Sequence, residues 1–152
     1  FWMLGGLGLA QWDQLIYPLV LLLPCGTWLF SNAGALNAMT VGDETASTLG
    51  IPVARFRLLI FVAGALITGV MVAFSGIIGF VGLMVPHIVR MLVGGDYLRV
   101  LPVSALVGAI LLLWADIAAR TLMAPEDMPI GIITGLVGGV FFVWVLGRRG
   151  SA

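Results

Sequence analysis

Few side chains in this 152-residue sequence could do chemistry, and those inside its long apolar runs occur in pairs. His87, the only histidine, is followed three positions later by Arg90, so a helix places both on one face. Asp116 and Arg120 are four residues apart with the acid first, the order that favours an ion pair within a helix. Because ionisable residues are costly in such apolar surroundings, both pairs indicate candidate functional sites.

Two interpretations stay open for each pair. His87 and Arg90 either have a structural role, with Arg90 extending to the membrane interface, or take part in gating. Asp116 and Arg120 either neutralise each other, or Arg120 binds an acidic group on a partner. Catalysis by His87 and Asp116, as in a membrane-embedded enzyme, requires a hydrogen bond of about 3 Å, but His87 is predicted toward the cytoplasmic end of its span and Asp116 toward the outer end of another. With one histidine and one cysteine, Cys25, the sequence predicts neither a catalytic site nor a metal site.

The composition excludes most other classes of protein. Hydrophobic residues make up 61% of the chain and charged residues 9%, against about 25% charged residues in soluble domains. All seven basic residues are arginines, and seven acids balance them. A soluble enzyme, a disordered chain and a nucleic-acid-binding protein are therefore excluded, and an integral membrane protein is predicted.

The apolar runs predict an all-α, polytopic bundle of transmembrane helices. A membrane-spanning helix needs about 20 apolar residues, and the 36-residue run 58–93 is too long for one crossing. We therefore expect that run to reverse near Ser75–Gly79. The whole of 1–152 is predicted to be a single transmembrane domain, a fragment that starts in mid-protein. Its five predicted spans are 15–30, 58–74, 78–93, 100–122 and 130–146.

The arginines predict the orientation of these spans. Arg120 lies at one predicted face, whereas the other face carries Arg55, Arg57, Arg90, Arg99, Arg148 and Arg149. Because cytoplasmic loops are rich in Lys and Arg, the face with six arginines is predicted to be cytoplasmic. The loop 31–57 and the C-terminus would then be cytoplasmic, and segments 1–14 and 123–129 would be outside.

The loop 31–57 is predicted to contain a short helix over about 41–49. Asp43 and Glu44 suit the first turn of that helix, and Gly50 suits the position after its end. A sharp turn and a second short helical piece should follow. The segment is either a docking surface for a partner or a plain connection.

Within that helix, Ala46 and Leu49 are expected to share a face. Elsewhere, many of the 21 glycines lie in or next to spans, including Gly79 and Gly82. Small residues allow close helix packing, and they also allow helices to shift against one another. The phosphate-binding loop G-x-x-x-x-G-K-[ST] does not occur, so ATP is not expected to bind by that route.

Four motifs, in this order, resemble one known family: GDETASTLGIP, SGIIGFVGLMVPHIVRMLVG, ADIAART and MPIGIITGLVGG. Together they are similar to the C-terminal half of the permease subunit of bacterial type II ABC importers, the FecCD family. The resemblance covers almost the whole chain. That family's permease has ten helices, so the resemblance implies that these five correspond to the sixth to tenth, and the first five are absent here.

The resemblance also implies roles for individual residues. Arg120 matches an arginine that pairs with a glutamate of the substrate-binding protein. The segment that contacts the ATPase would comprise Gly42, Asp43, Glu44, Ala46, Leu49, Gly50 and Pro52. The translocation path and its gate would involve Gly79, Phe80, Gly82, Pro86, His87 and Arg90.

The function implied by the resemblance is ATP-driven import of an iron–siderophore or haem-type chelate across the bacterial inner membrane. Cobalamin or another metal chelate is the alternative cargo, and a purely structural membrane subunit is a further alternative. The expected partners are two ABC ATPase subunits, a second permease copy or homologue, a periplasmic binding protein and membrane lipid, but no nucleic acid. ATP and Mg²⁺ would be used by the ATPase, with no cofactor bound by this chain.

Overall fold

The computed structural model describes residues 5–8, 10–122 and 128–149, and every regular element within them is helical. Most of the predicted outer loop 123–129 lies outside the described residues. A short 3-10 turn, Trp12–Leu15, precedes the helices. These are α1 (Ile16–Ser31), α2 (Ala33–Val41), α3 (Asp43–Thr48), α4 (Val53–Ser75), α5 (Val81–Val93), α6 (Tyr97–Leu122) and α7 (Ile130–Arg149).

Four of the described helical segments are long and apolar enough to cross a membrane. They are Trp12–Ser31, Val53–Ser75, Tyr97–Leu122 and Ile130–Gly147. The fold is therefore an all-helical bundle of four long apolar helices and one shorter apolar helix, α5. The prediction of five comparable spans is correct only in part, because α5 has 13 residues.

The predicted span 78–93 begins too early because the chain between α4 and α5 is not helical. Gly76 has φ of 69° and Phe80 has φ of 66°. A right-handed helix cannot pass through two such residues. Helical structure therefore resumes only at Val81, after a five-residue connection.

Two small apolar clusters hold the last three helices together. Val85 and Val89 of α5 are buried against Val100 of α6. Ala115 and Ala119 of α6 are buried against Ile130 of α7. Small and β-branched side chains bring these helices close together, as is usual in membrane bundles.

The first described residues bind to the helix ends at one end of the bundle. The Gly6 N–H donates to the Ser75 carbonyl (2.8 Å), and the Ile130 N–H donates to the Gly5 carbonyl (3.1 Å). Gly5 has φ of 72°, and a side chain there would overlap the carbonyl oxygen of Ile77. We call residues 5–8 the strap, and the end it contacts the strap end.

The predicted loop 31–57 is largely helical. Only Asn32 separates α1 from α2, so the chain remains helical where a loop was predicted. The predicted helix 41–49 is present in shortened form as α3. The expected second helical piece is not a separate element, because residues after Pro52 form the first turn of α4.

Candidate functional site

The short helix α3 lies between two glycines with backbone conformations that favour glycine. Gly42 has φ of 146° and Gly50 has φ of 81°. The Gly50 N–H donates to the Ser47 carbonyl (2.9 Å), and the Ile51 N–H donates to the Ala46 carbonyl (3.1 Å). The sharp turn predicted at Gly50 is therefore present, because only glycine adopts this conformation without strain.

The two faces of α3 differ in exposure. Ala46 is fully buried, whereas Leu49 is 67% exposed and Val41, just before the helix, is 74% exposed. The expectation that Ala46 and Leu49 share a face is wrong, because helix α3 ends at Thr48 and Leu49 lies in the turn. We call the exposed residues Val41, Glu44 and Leu49 the α3 surface.

An ion pair joins α3 to the second turn of α4. Nη2 of Arg57 lies 2.8 Å from Oδ1 and 2.9 Å from Oδ2 of Asp43. Both side chains are more than half exposed. Exposed pairs of this kind typically stabilise by only about 0.2–1 kcal/mol, so the contact fixes the orientation of α3 more than it stabilises the fold.

A second connection, which local sequence spacing does not reveal, joins α2 to the turn between α5 and α6. Nδ2 of Asn37 donates to Oδ1 of Asp96 (2.7 Å), and the Tyr97 N–H donates to Oδ1 of Asn37 (2.9 Å). Oδ1 of Asp96 also accepts the Leu98 N–H (3.0 Å), so Asp96 caps the N-terminus of α6. The first two of these contacts form what we call the Asn37–Asp96 joint.

These contacts change the acidity of Asp96. The hydrogen bond from Asn37, then that from Leu98, lowers the pKa of Asp96 below its ordinary value of 3.8, and the charge of Arg99 adds to this. An aspartate directly before a helix is a recognisable capping signal, so that part was accessible from the sequence. The hydrogen bond from Asn37 was not accessible from the sequence, since Asn37 lies 59 residues earlier.

His87 and Arg90, which the spacing placed on one face, contact different helices. The half-buried His87 ring lies edge-on to Phe141 of α7, with centroids 5.8 Å apart. Nη2 of Arg90 donates to the Tyr97 hydroxyl (2.7 Å), and its guanidinium lies 5.2 Å from the centre of that ring. His87 therefore faces α7 while Arg90 is bound at the start of α6.

The start of α5 is packed tightly against α7. Phe80 is the one non-glycine residue with positive φ in the described part of the chain. A side chain on Gly138 would overlap the Cβ and ring of Phe80. By contrast, a Cβ on Gly79 or Gly82 would meet no atom of the described residues within 4 Å. The close approach of the start of α5 to α7 thus depends on Gly138. Pro86 lies further along, inside α5.

Asp116 and Arg120 form the expected ion pair near the end of α6. Nε of Arg120 lies 2.9 Å from Oδ2 of Asp116, and the two side chains are 49% and 22% exposed. Asp116 thus binds Arg120, whereas His87 contacts Phe141. Asp116 and His87 are therefore engaged with different partners. Within the residues that the structure describes, no group of three or more His, Cys, Asp or Glu could hold a metal ion.

An apolar groove of about 300 Å³ lies between α5, α6 and α7. Its walls include Met84, Trp114, Ile133 and Thr134, and no charged side chain lines it. The Thr134 hydroxyl donates to the Gly131 carbonyl (3.3 Å) within its own helix. The groove therefore offers shape and apolar surface but no reactive group.

Long apolar helices joined by small apolar clusters are the architecture of a polytopic helical membrane protein. The chain belongs to the FecCD transport family, whose family model matches residues 1–148. It is thus a transport component of the permease type, not an enzyme, and it carries no cofactor of its own. Membership in a transport family therefore gives no support to catalysis by His87 and Asp116.

Individual proteins of known name are similar along nearly the whole chain. The hemin transport system permease protein HmuU of Yersinia pestis is 45% identical over 148 residues, which cover 97% of this chain and 44% of that protein. The vitamin B12 import system permease protein BtuC of Citrobacter koseri is 39% identical and is likewise covered to 44%. The chain therefore spans less than half the length of these relatives.

A solved structure supports the same fold. A metal-chelate type ABC transporter in an inward-facing conformation superposes with a TM-score of 0.89 at 37% identity. The match covers 97% of this chain and 48% of the other chain. The helical arrangement described above therefore resembles about half of a chain of that ABC transporter.

Proposed function

We propose that this chain is the C-terminal half of a ten-helix permease subunit that moves an iron–siderophore or haem-type chelate across the bacterial inner membrane. Coverage of 44% of two named relatives and 48% of the solved chain supports a half. Hemin and vitamin B12 in the relatives' names support a large metal chelate as cargo, with cobalamin as the alternative. ATP would be hydrolysed by a separate subunit.

The observation that carries the proposal is how α3 is held in place and which apolar residues beside it are exposed. Its buried Ala46 and the ion pair of Asp43 with Arg57 hold the helix against the bundle. Val41 and Leu49 are left exposed, which suits a protein contact outside the membrane. The segment Gly42–Pro52 would therefore rest on an ABC ATPase subunit and receive its movement, with α3 at the cytoplasmic face.

Arg120 would contact the binding protein at the strap end. It lies in the last turn of α6, close to where the Met128 N–H donates to the Ala119 carbonyl. The six remaining arginines support a periplasmic position for this end through the positive-inside rule. Two such permeases, or this one with a homologue, would assemble with two ATPases and one binding protein.

The translocation path would run beside α5. Phe80 is 42% exposed at the start of this helix, and the half-buried His87 and exposed Arg90 follow about two and three turns further on. Gly79 and Gly82 leave open space beside this helix, and Pro86 weakens it near its centre. These features suit a helix that shifts during transport.

The test uses the full-length permease with its ATPase and binding protein in proteoliposomes. Uptake of hemin, a ferric siderophore and cyanocobalamin is measured with and without ATP. Gly50→Val places a β-branched residue at φ of 81° and should abolish ATP-driven uptake by distorting the turn after α3. Gly34→Val, in α2 with an ordinary φ and open space around it, is the matched control.

Unchanged uptake in Gly50→Val would remove α3 from the mechanism. ATP-dependent uptake of cyanocobalamin alone would replace the proposed cargo by the alternative. If the wild-type assembly takes up none of the three chelates, the proposed cargo class is wrong.

A further inference from the structure

We propose that Asn37 is a positioning residue that transmits movement of α3 to the α5–α6 hairpin through the Asn37–Asp96 joint. The inference rests on the proposed function, because it takes α3 as the place where ATP-driven movement enters. It adds the route by which that movement reaches α5. Along this route α2 moves with α3, the joint holds α2 to the hairpin, and α5 follows α6.

Helices α2 and α3 are closely connected. Gly42 is the single residue between them, and the Ala46 N–H donates to its carbonyl (3.0 Å). Ala46 is fully buried, so α3 is seated against its surroundings instead of hanging from a loop. A displacement of α3 therefore displaces α2 as well.

The joint makes contact at two points with one side chain. The Asn37 amide donates through Nδ2 and accepts through Oδ1, at 2.7 and 2.9 Å. Two bonds from one planar amide fix orientation as well as distance, and both are partly buried. The carboxylate of Asp96 makes the first of them charge-assisted, which strengthens it.

On the other side of the joint, α5 and α6 form one unit. Val85, Val89 and Val100 are each at most 3% exposed where the two helices pack. Arg90 of α5 also binds the Tyr97 hydroxyl. Tyr97 is the residue whose N–H binds Asn37, so a pull at this position acts on α5 and α6 together.

The described ion pair of α3 itself leads to α4 and is weaker than the joint. The Arg57–Asp43 pair is 52% and 57% exposed, so water screens it. It also reaches no residue of the hairpin. The joint is therefore the more direct polar connection between the α3 segment and α5.

The test follows α3 and α5 separately in the full-length permease assembled with its ATPase in nanodiscs. In a Cys25→Ser background, a bimane label is attached at Thr48→Cys in α3 or at Leu92→Cys in α5; both positions are exposed. Fluorescence is recorded before and after ATP–Mg²⁺. Asn37→Ala breaks the joint. Asn32→Ala is the matched control, because Nδ2 of Asn32 bonds only to the Trp28 carbonyl one turn earlier.

We expect both labels to respond in the wild type and in Asn32→Ala. In Asn37→Ala, the α3 label should still respond while the response of the α5 label is lost. The double variant Asn37→Asp with Asp96→Asn exchanges the two groups and keeps a donor and an acceptor at the joint. It should restore the α5 response that Asn37→Asp alone, with two facing carboxylates, lacks.

An α5 response in Asn37→Ala equal to that in Asn32→Ala overturns the proposed role of the joint. It leaves the proposed function unaffected. A wild-type α3 label that ignores ATP–Mg²⁺ overturns the proposed role of α3, and the inference with it. If Asn37→Ala does not assemble, the double variant Asn37→Asp with Asp96→Asn provides the test. An α5 response no larger than that of Asn37→Asp alone overturns the inference.

Discussion

Arg57 holds Asp43 through a single nitrogen, Nη2, which lies 2.8 and 2.9 Å from the two carboxylate oxygens. Asp43 is the first residue of α3 and Arg57 lies in the second turn of α4. The contact therefore sets the angle of α3 to a helix long enough to cross a membrane. It does so in solvent, where salt weakens it.

We predict that this pair contributes little to the stability of the fold. A double-mutant cycle with Asp43→Ala and Arg57→Ala, measured by chemical unfolding in detergent, should give a coupling energy of about 0.2–1 kcal/mol. The coupling should shrink at high salt, because both side chains are more than half exposed. A coupling of several kcal/mol that is independent of salt would contradict an exposed, orienting pair.

Gly138 should not tolerate a side chain. In Gly138→Ala the new methyl group overlaps Phe80, and such overpacking typically costs about 1–3 kcal/mol. Thermal unfolding in nanodiscs measures the loss. Gly139→Ala is the control, since its Cβ would meet no atom within 4 Å. Adding Phe80→Gly to Gly138→Ala should recover stability, because it removes both the overlap and a residue with φ of 66°.

Asp96 should titrate below its ordinary pKa of 3.8, and Asn37→Ala should raise that pKa. A lowered pKa means that the ionised carboxylate stabilises the fold. The contribution is therefore present above the unfolded-state pKa and is lost as the pH falls through the lowered value. NMR titration of ¹³C-labelled aspartate in nanodiscs measures it. An unchanged Asp96 pKa in Asn37→Ala would show that the Asn37 hydrogen bond does not persist in solution.

Arg120→Glu should weaken docking of the binding protein and make it less dependent on salt. The same change also breaks the pair with Asp116, so the exchange variant Asp116→Arg with Arg120→Glu is the control. If Arg120 acts on the partner, the exchange restores stability but not affinity. Recovery of affinity in the exchange variant would limit Arg120 to neutralising Asp116. Surface plasmon resonance on nanodiscs measures both affinities.

The long helices α1, α4, α6 and α7 were predictable because each is an apolar run with few charges. The start of α5 was not, since nothing in the type of Phe80 announces a left-handed backbone. Helix α2 was missed because most of its residues are small or polar and it shows little apolar periodicity.

The contacts of the candidate site, like the helices, were predictable from the sequence only in part. Residues of α3 and the Asp116–Arg120 pair follow from local spacing and glycine position. The Asn37–Asp96 joint depends on chain segments 59 residues apart, which only the folded structure brings together. His87 and Arg90 show the limit of helical spacing, because neighbours on α7 and α6 determine where each side chain binds.

The brevity of α5 affects the permeability barrier itself. Thirteen residues rise about 20 Å, against a hydrocarbon layer of about 30 Å. The non-helical connection 76–80 would have to span the rest of the hydrocarbon layer. Its backbone polar groups need protein or water around them. In the proposed path beside α5, a polar solute would therefore have these backbone groups within reach, which would lower the electrostatic cost of its passage.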